Sequence, residues 1–190
     1  MKYIPPYRAM KCKGLLIVLV LVFYTNSFLL AQEAKPKNRT FGGLGAGIPY
    51  GGFGLQLGQQ LSSELDVFGG LGYNLVGVGY NVGLKLNIPS EKRTQFYLAG
   101  MYGYNSVIKI KNLEESNKSY YGPSFGLGLK LKSRRYNIPF WDFSVILPVR
   151  NASFKEDQDY YANNSGISGF TKAFPVLISV GYHFQISAEK

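Results

Sequence analysis

His183 is the one histidine of the chain and Cys12 the one cysteine. Acid–base or nucleophilic chemistry at neutral pH would have to be built around that imidazole, whose unperturbed charge change lies nearest that pH. Asp142 and Ser144 supply the other two members of a Ser–His–Asp set, in which the hydroxyl attacks, the imidazole carries its proton and the carboxylate orients the ring. Their order and spacing match no triad signature. An alternating reading also places Asp142 and Ser144 on one strand and His183 near the end of another, at different levels. One imidazole and one N-terminal cysteine exclude the usual zinc ligand sets. Glu156-Asp157-Gln158-Asp159 groups three acids but lacks the glycine and closing glutamate of a calcium loop, so it reads as a solvated loop. Gly42-Gly43-Leu44-Gly45 and Gly69-Gly70-Leu71-Gly72 open no helix and carry no P-loop lysine. No catalytic, cofactor or metal site is expected.

The elements that hold these residues read as strands. Charged residues make up 17% of the chain and aromatics 15%, with 23 glycines, 15 tyrosines and 13 phenylalanines. Disordered chains lack such aromatics, and each glycine inside a helix costs about 1 kcal/mol relative to alanine. The clearest segment is 174–184, where Phe174, Val176, Ile178, Val180, Tyr182 and Phe184 fall on one face and Pro175, Leu177, Ser179, Gly181 and His183 on the other. Seven companions precede it, at 41–48, 52–61, 65–74, 79–88, 94–108, 121–132 and 140–149, most near the ~9–11 residues that cross a bilayer at a tilt. The alternation is least clean in the first and fifth, and the first can fuse with the second through Pro49-Tyr50-Gly51.

The links support a barrel with alternate ends. Ser62-Ser63-Glu64, 89–93 and 133–139 are short, whereas 109–120 and 150–173 are long and polar, as expected of turns on one side of a membrane and loops on the other; the remaining loop-side links, 49–51 and 75–78, are short as well, so the alternation rests on two long loops. Phe154, Tyr160, Tyr161 and Phe170 in the last loop either meet a partner or fold the loop onto the barrel rim. A soluble barrel would carry many charges on its water-facing side. Here the face opposite the large apolar residues is mostly glycine, Ser, Asn and Gln, which suits a narrow, filled lumen. Its charges, Lys85, Lys130 and Lys132 against Asp66 and Asp142, are expected to pair rather than line an ion path, because an unpaired buried charge is costly.

The N-terminus reads as a signal peptide over 1–31, basic at first, then apolar from Gly14 to Phe23, with a small residue, Ala31, at the cut. Cys12 precedes that apolar run, so a lipid anchor is not expected there. A polar lead-in over 32–40, a barrel over 41–184 and a polar tail over 185–190 follow. Loss of Lys2, Arg8, Lys11 and Lys13 with the signal lowers the formal charge from +10 by four, to about +6. The remaining basic residues sit in turns and loops without forming one basic face, so nucleic acid is not an expected partner.

With an Ala31-Gln32 junction, the run Gly45-Ala46-Gly47-Ile48-Pro49-Tyr50-Gly51-Gly52 and the end Gly181-Tyr182-His183-Phe184, the chain resembles the small eight-stranded outer-membrane barrels of the OmpA-transmembrane/OmpX type. More narrowly it looks like the short barrel proteins of Bacteroidetes, departing from them in the residues after Phe184. The resemblance implies an all-β, eight-stranded antiparallel up-and-down transmembrane barrel in the bacterial outer membrane, inserted by the barrel-assembly machinery and surrounded by outer-membrane lipid as a monomer. It implies a non-enzymatic structural or surface-interaction role, with loops 109–120 and 150–173 offered to a surface partner. Small barrel acyltransferases keep their catalytic residues at the outer surface, whereas His183 falls at the periplasmic end. The alternatives are a soluble periplasmic barrel holding a lipid or other apolar ligand inside, and a lipid-modifying barrel enzyme.

Overall fold

A computed structural model of the chain describes residues 39–108, 117–133, 139–163 and 173–188. The expected signal peptide, residues 32–38 of the lead-in, most of the loop at 109–116, residues 134–138 of the short link expected over 133–139, part of the last loop at 164–172 with Phe170, and the final two residues of the tail lie outside the described residues.

Period-two alternation produces eight strands. They are β1 (Arg39–Gly47), β2 (Gly52–Gln60), β3 (Leu65–Tyr73), β4 (Val78–Asn87), β5 (Thr94–Ile108), β6 (Lys118–Lys132), β7 (Phe140–Pro148) and β8 (Leu177–Ala188). Each pairs antiparallel with its neighbours in sequence, and β1 pairs with β8, so the sheet closes and no edge is left unpaired. The expected eight-stranded antiparallel barrel is the fold.

Closure sorts the two faces. On β4, Val78, Tyr80, Val82, Leu84 and Leu86 point outward and are 48–66% exposed, while Asn81, Lys85 and Asn87 are buried in the lumen. No Asp, Glu, Lys or Arg occupies an outward strand position among the described residues. The barrel is thus apolar outside, with polar, small and aromatic side chains inside.

Several strand bounds differ from the sequence reading. β8 begins at Leu177 rather than at 174, because Arg150 donates to the carbonyls of Ala173 and Phe174 and takes them out of the ladder. β8 also runs on through Gln185 to Ala188, so those residues are strand rather than tail; Arg39 and Thr40 open β1 earlier than expected and pair with Ala188 and Ser187. The register between β1 and β8 shifts at Thr40/Phe41, which lets Ile186 bulge outward without losing the pairing. At the other end β6 starts at Lys118, pairing with Ile108, so the link expected over 109–120 is shorter.

The last loop holds a helix, α1 (Ala152–Asn163), where a solvated acidic loop was expected. Asn151 caps it, its side-chain oxygen accepting from the Phe154 amide at 2.9 Å. Phe154 is fully buried against Ile108 and Tyr120, and Tyr161 packs on the same cluster one heptad later. The loop aromatics therefore divide: Phe154 pins α1 to the barrel rim, while Tyr160 stays 64% exposed.

Candidate functional site

The lumen is where the polar side chains converge, and it is filled. The most consequential element is the link between β1 and β2. Ile48–Tyr50 neither fuses the two strands nor stands above them; it forms a 3-10 turn folded into the barrel, with all three residues buried. Gly51, at φ 67° in the left-handed region, makes the reversal that returns the chain to β2. The inward turn needs space that side chains would occupy. A Cβ at Gly70 would collide with the Pro49 carbonyl, and one at Gly181 or Gly45 with the Tyr50 ring. The glycine-rich face expected to pack strands in fact forms the seat of this plug.

The plug's free polar groups are met by lumenal amides. Asn81 Nδ2 donates to the Ile48 carbonyl at 2.7 Å, and Gln56 Nε2 to the Pro49 carbonyl at 3.1 Å. Tyr50, 1% exposed, is hydrogen-bonded through its hydroxyl to His183 Nε2 at 2.7 Å. Below it Ile48, Phe68, Tyr97, Met101 and Ile146 form an apolar plug across the middle of the barrel.

Two ion pairs cross the turn-end half of the lumen. Lys85 Nζ lies 2.5 Å from Asp142 Oδ2, and Lys130 pairs with Asp66; all four side chains are at most 7% exposed. These pairs bear out the expected pairing for four of the five lumenal charges. Lys132, the fifth, stands at the mouth with no ion-pair partner among the described residues. The pairs are satisfied beyond their Coulomb contact. Lys85 also donates to Gln56 Oε1 at 3.1 Å, Lys130 to Asn87 Oδ1 at 2.6 Å, and Tyr97 donates to Asp142. Both ammonium groups lie over the Tyr97 ring, at 5.0 and 5.7 Å from its centroid. Since Gln56 touches both the plug and Lys85, one hydrogen-bonded chain runs from the β1–β2 turn to the centre of the lumen.

His183 was expected at the lumenal rim and is instead fully buried. With β8 continuing to Ala188 the residue is mid-strand, and Phe140 stacks on it at 4.6 Å while Phe41 meets it edge-on, so the two rings close it off. Its Nε2 comes within 3.7 Å of Asp142 Oδ2, closer than the sequence suggested, because Asp142 and His183 lie two residues apart across the β7–β8 pairing. Ser144 is buried too, and no hydrogen bond joins it to His183 among the described residues. The three residue types are neighbours, but the imidazole is committed to Tyr50 and all three are cut off from solvent. Among the described residues no group of three or more His, Cys, Asp or Glu side chains could hold a metal ion.

At the loop end, α1 is tied down by charge as well as by Phe154. Asp157 accepts from the Tyr120 hydroxyl at 2.5 Å and from Lys118 at 3.0 Å. Those bonds hold the Asp157 carboxyl below its usual value. Burial lowers the Arg150 guanidinium, which sits 5.0 Å from the Phe154 ring. The seven-residue spacing of Phe154 and Tyr161 behind Asn151 was the available sequence signal for α1; nothing local signalled the inward plug. No family model and no curated protein matches this chain.

Proposed function

We propose that the chain is a non-enzymatic, monomeric integral barrel of the bacterial outer membrane, of the OmpA-transmembrane/OmpX kind, with a structural or surface-interaction role. The observation that carries this reading is the outward face. It is uncharged along all eight strands and apolar throughout, with Phe125 and Phe143 among the aliphatic residues mid-strand and further aromatics toward both ends: Phe53, Tyr73, Tyr80 and Tyr102 toward the loops, Phe96, Trp141 and Phe184 toward the turns. Soluble monomers rarely expose continuous apolar patches beyond a few hundred Å², whereas aromatic girdles flanking an apolar band are the pattern of membrane barrels. A filled lumen favours anchoring over transport, and a buried His183 bonded to Tyr50 favours no catalysis. Export by the signal peptide over 1–31 and insertion by the barrel-assembly machinery follow from this location. The docked α1 and its exposed Tyr160 are then the surface presented to a partner.

Membrane fractionation with heat-modifiable gel mobility tests the reading. The protein should stay in carbonate-washed outer membranes and migrate faster unboiled than boiled. Recovery in the soluble periplasm without detergent would refute it in favour of a ligand-binding soluble barrel.

A further inference from the structure

The turn-end mouth holds a recess of about 80 Å³. Arg39 and Lys132 line it together with Gln60, Gln95 and Gln185, and Lys130 and Phe140 also line it. Asp66 is the one carboxylate in the lining, and Lys130 occupies it. Among the described residues neither Arg39 nor Lys132 has a carboxylate within ion-pair distance, so the described lining carries two positive charges beyond the Lys130–Asp66 pair. The side chains of Gln60, Gln95 and Gln185 also line the recess, and among the described residues no hydrogen bond occupies their NH₂ donors. The register sets these groups around one mouth: Arg39 lies directly opposite Gln60 on the β1–β2 pair, and Gln95 opposite Lys130 on the β5–β6 pair. Arg93 donates through Nε and Nη2 to the Lys132 carbonyl at 3.2 and 3.1 Å, which fixes the backbone beneath Lys132 and brings a third cation beside it.

From this arrangement we infer that the turn-end mouth is a binding site for a phosphate group. A small, multiply charged anion with several acceptor oxygens matches a guanidinium fork, an ammonium and neutral amide donors, and a recess of this size takes a single such group. The group is supplied either by a soluble phosphate or by a phospholipid headgroup. The site itself does not depend on the membrane reading; only the lipid source does.

The test uses the full barrel folded in a nonionic detergent, with folding checked by heat-modifiable mobility. Inorganic phosphate is titrated at constant ionic strength against chloride, followed by calorimetry and ³¹P line broadening, and short-chain phosphatidylglycerol is titrated in parallel below its micelle concentration. One of the two should bind saturably, with Arg39→Gln and Lys132→Gln each weakening it about tenfold, the scale of one charge-assisted hydrogen bond, and the double variant abolishing it. Lys118→Gln, at the opposite end, should leave binding unchanged. Saturation by phosphate assigns a soluble ligand, and saturation by the lipid alone assigns a headgroup. If neither saturates, or if Arg39→Gln and Lys132→Gln bind like the parent, the site is refuted. A protein recovered without detergent would remove the membrane reading and leave the phosphate arm intact.

Discussion

Replacing Lys85 by Met should expose how dry the lumen is. Lys85 and Asp142 are 1% and 4% exposed and 2.5 Å apart, with Tyr97 donating to the second carboxylate oxygen. Met fills similar volume, so the loss is electrostatic: Asp142 stays buried with Tyr97 as its main donor and no cation within 3 Å. Removing one partner of a buried pair costs about 3–5 kcal/mol, and Asp142→Asn, which strands Lys85, should cost about the same. Independent effects would then sum to about 6–10 kcal/mol, comparable to the whole stability of a typical domain. In Lys85→Met/Asp142→Asn, however, no charge is stranded. What remains is Gln56 Oε1 without its donor and a weakened Tyr97 bond, at about 1–3 kcal/mol for each group left unsatisfied. The double variant should therefore cost no more than either single one, with a coupling of at least ~3 kcal/mol. Trp141, the sole tryptophan, lies outward beside Asp142 on β7, so its fluorescence in urea titrations of the detergent-folded protein reports unfolding directly. Additivity within about 0.5 kcal/mol, or single variants costing under ~1 kcal/mol, would mean that water reaches the pair and that the lumen is not sealed.

Three further outcomes are expected. Gly70→Ala, whose added Cβ meets the Pro49 carbonyl, should destabilise the barrel by about 1–3 kcal/mol in the same titration, whereas Gly69→Ala, facing outward with its nearest neighbour at 4.0 Å, should be near neutral. Leu127→Arg, in the middle of the outward face, should cost about 2–4 kcal/mol for folding into lipid vesicles; a near-zero cost there would contradict lipid exposure. Asp157 has a folded value below its unfolded 3.8, so its contribution is complete above that value and is lost as pH falls through the depressed one. Acid should thus lower the amide protection factors of α1, taken relative to the intrinsic exchange rate at each pH, and Asp157→Asn should show the lowered protection already at pH 7.

Much of the architecture is local and was legible in the residues. Alternation along Trp141, Phe143, Val145 and Leu147 on one face, with Asp142, Ser144 and Ile146 on the other, already places each side chain, because a strand's period of two needs no knowledge of its partner. Eight such segments with turn residues between them imply the closed barrel. The lumenal position of Lys85, Lys130, Asp66 and Asp142, and their need to pair, follow from the same alternation and the cost of burying charge.

What only the tertiary structure decided is who meets whom across the lumen. Lys85 and Asp142 are 57 residues apart, and Tyr50 and His183 are 133 apart, and both distances depend on strand register and barrel stagger, which no local pattern carries. The inward fold of Ile48–Tyr50 is of this kind. As three residues between two strands it reads as an ordinary hairpin link; it turns inward because Gly45, Gly70 and Gly181, on three other stretches of the chain, leave a vacancy of its shape. His183 changed from rim residue to buried anchor for a related reason, since β8 is extended by its pairing to β1 and its neighbours Phe41 and Phe140 come from two different strands. Sequence alone determined the strands, their faces and the chemistry each face carries; the contacts that fill the lumen were determined by closure, which sets residues far apart in the chain at one level of the barrel.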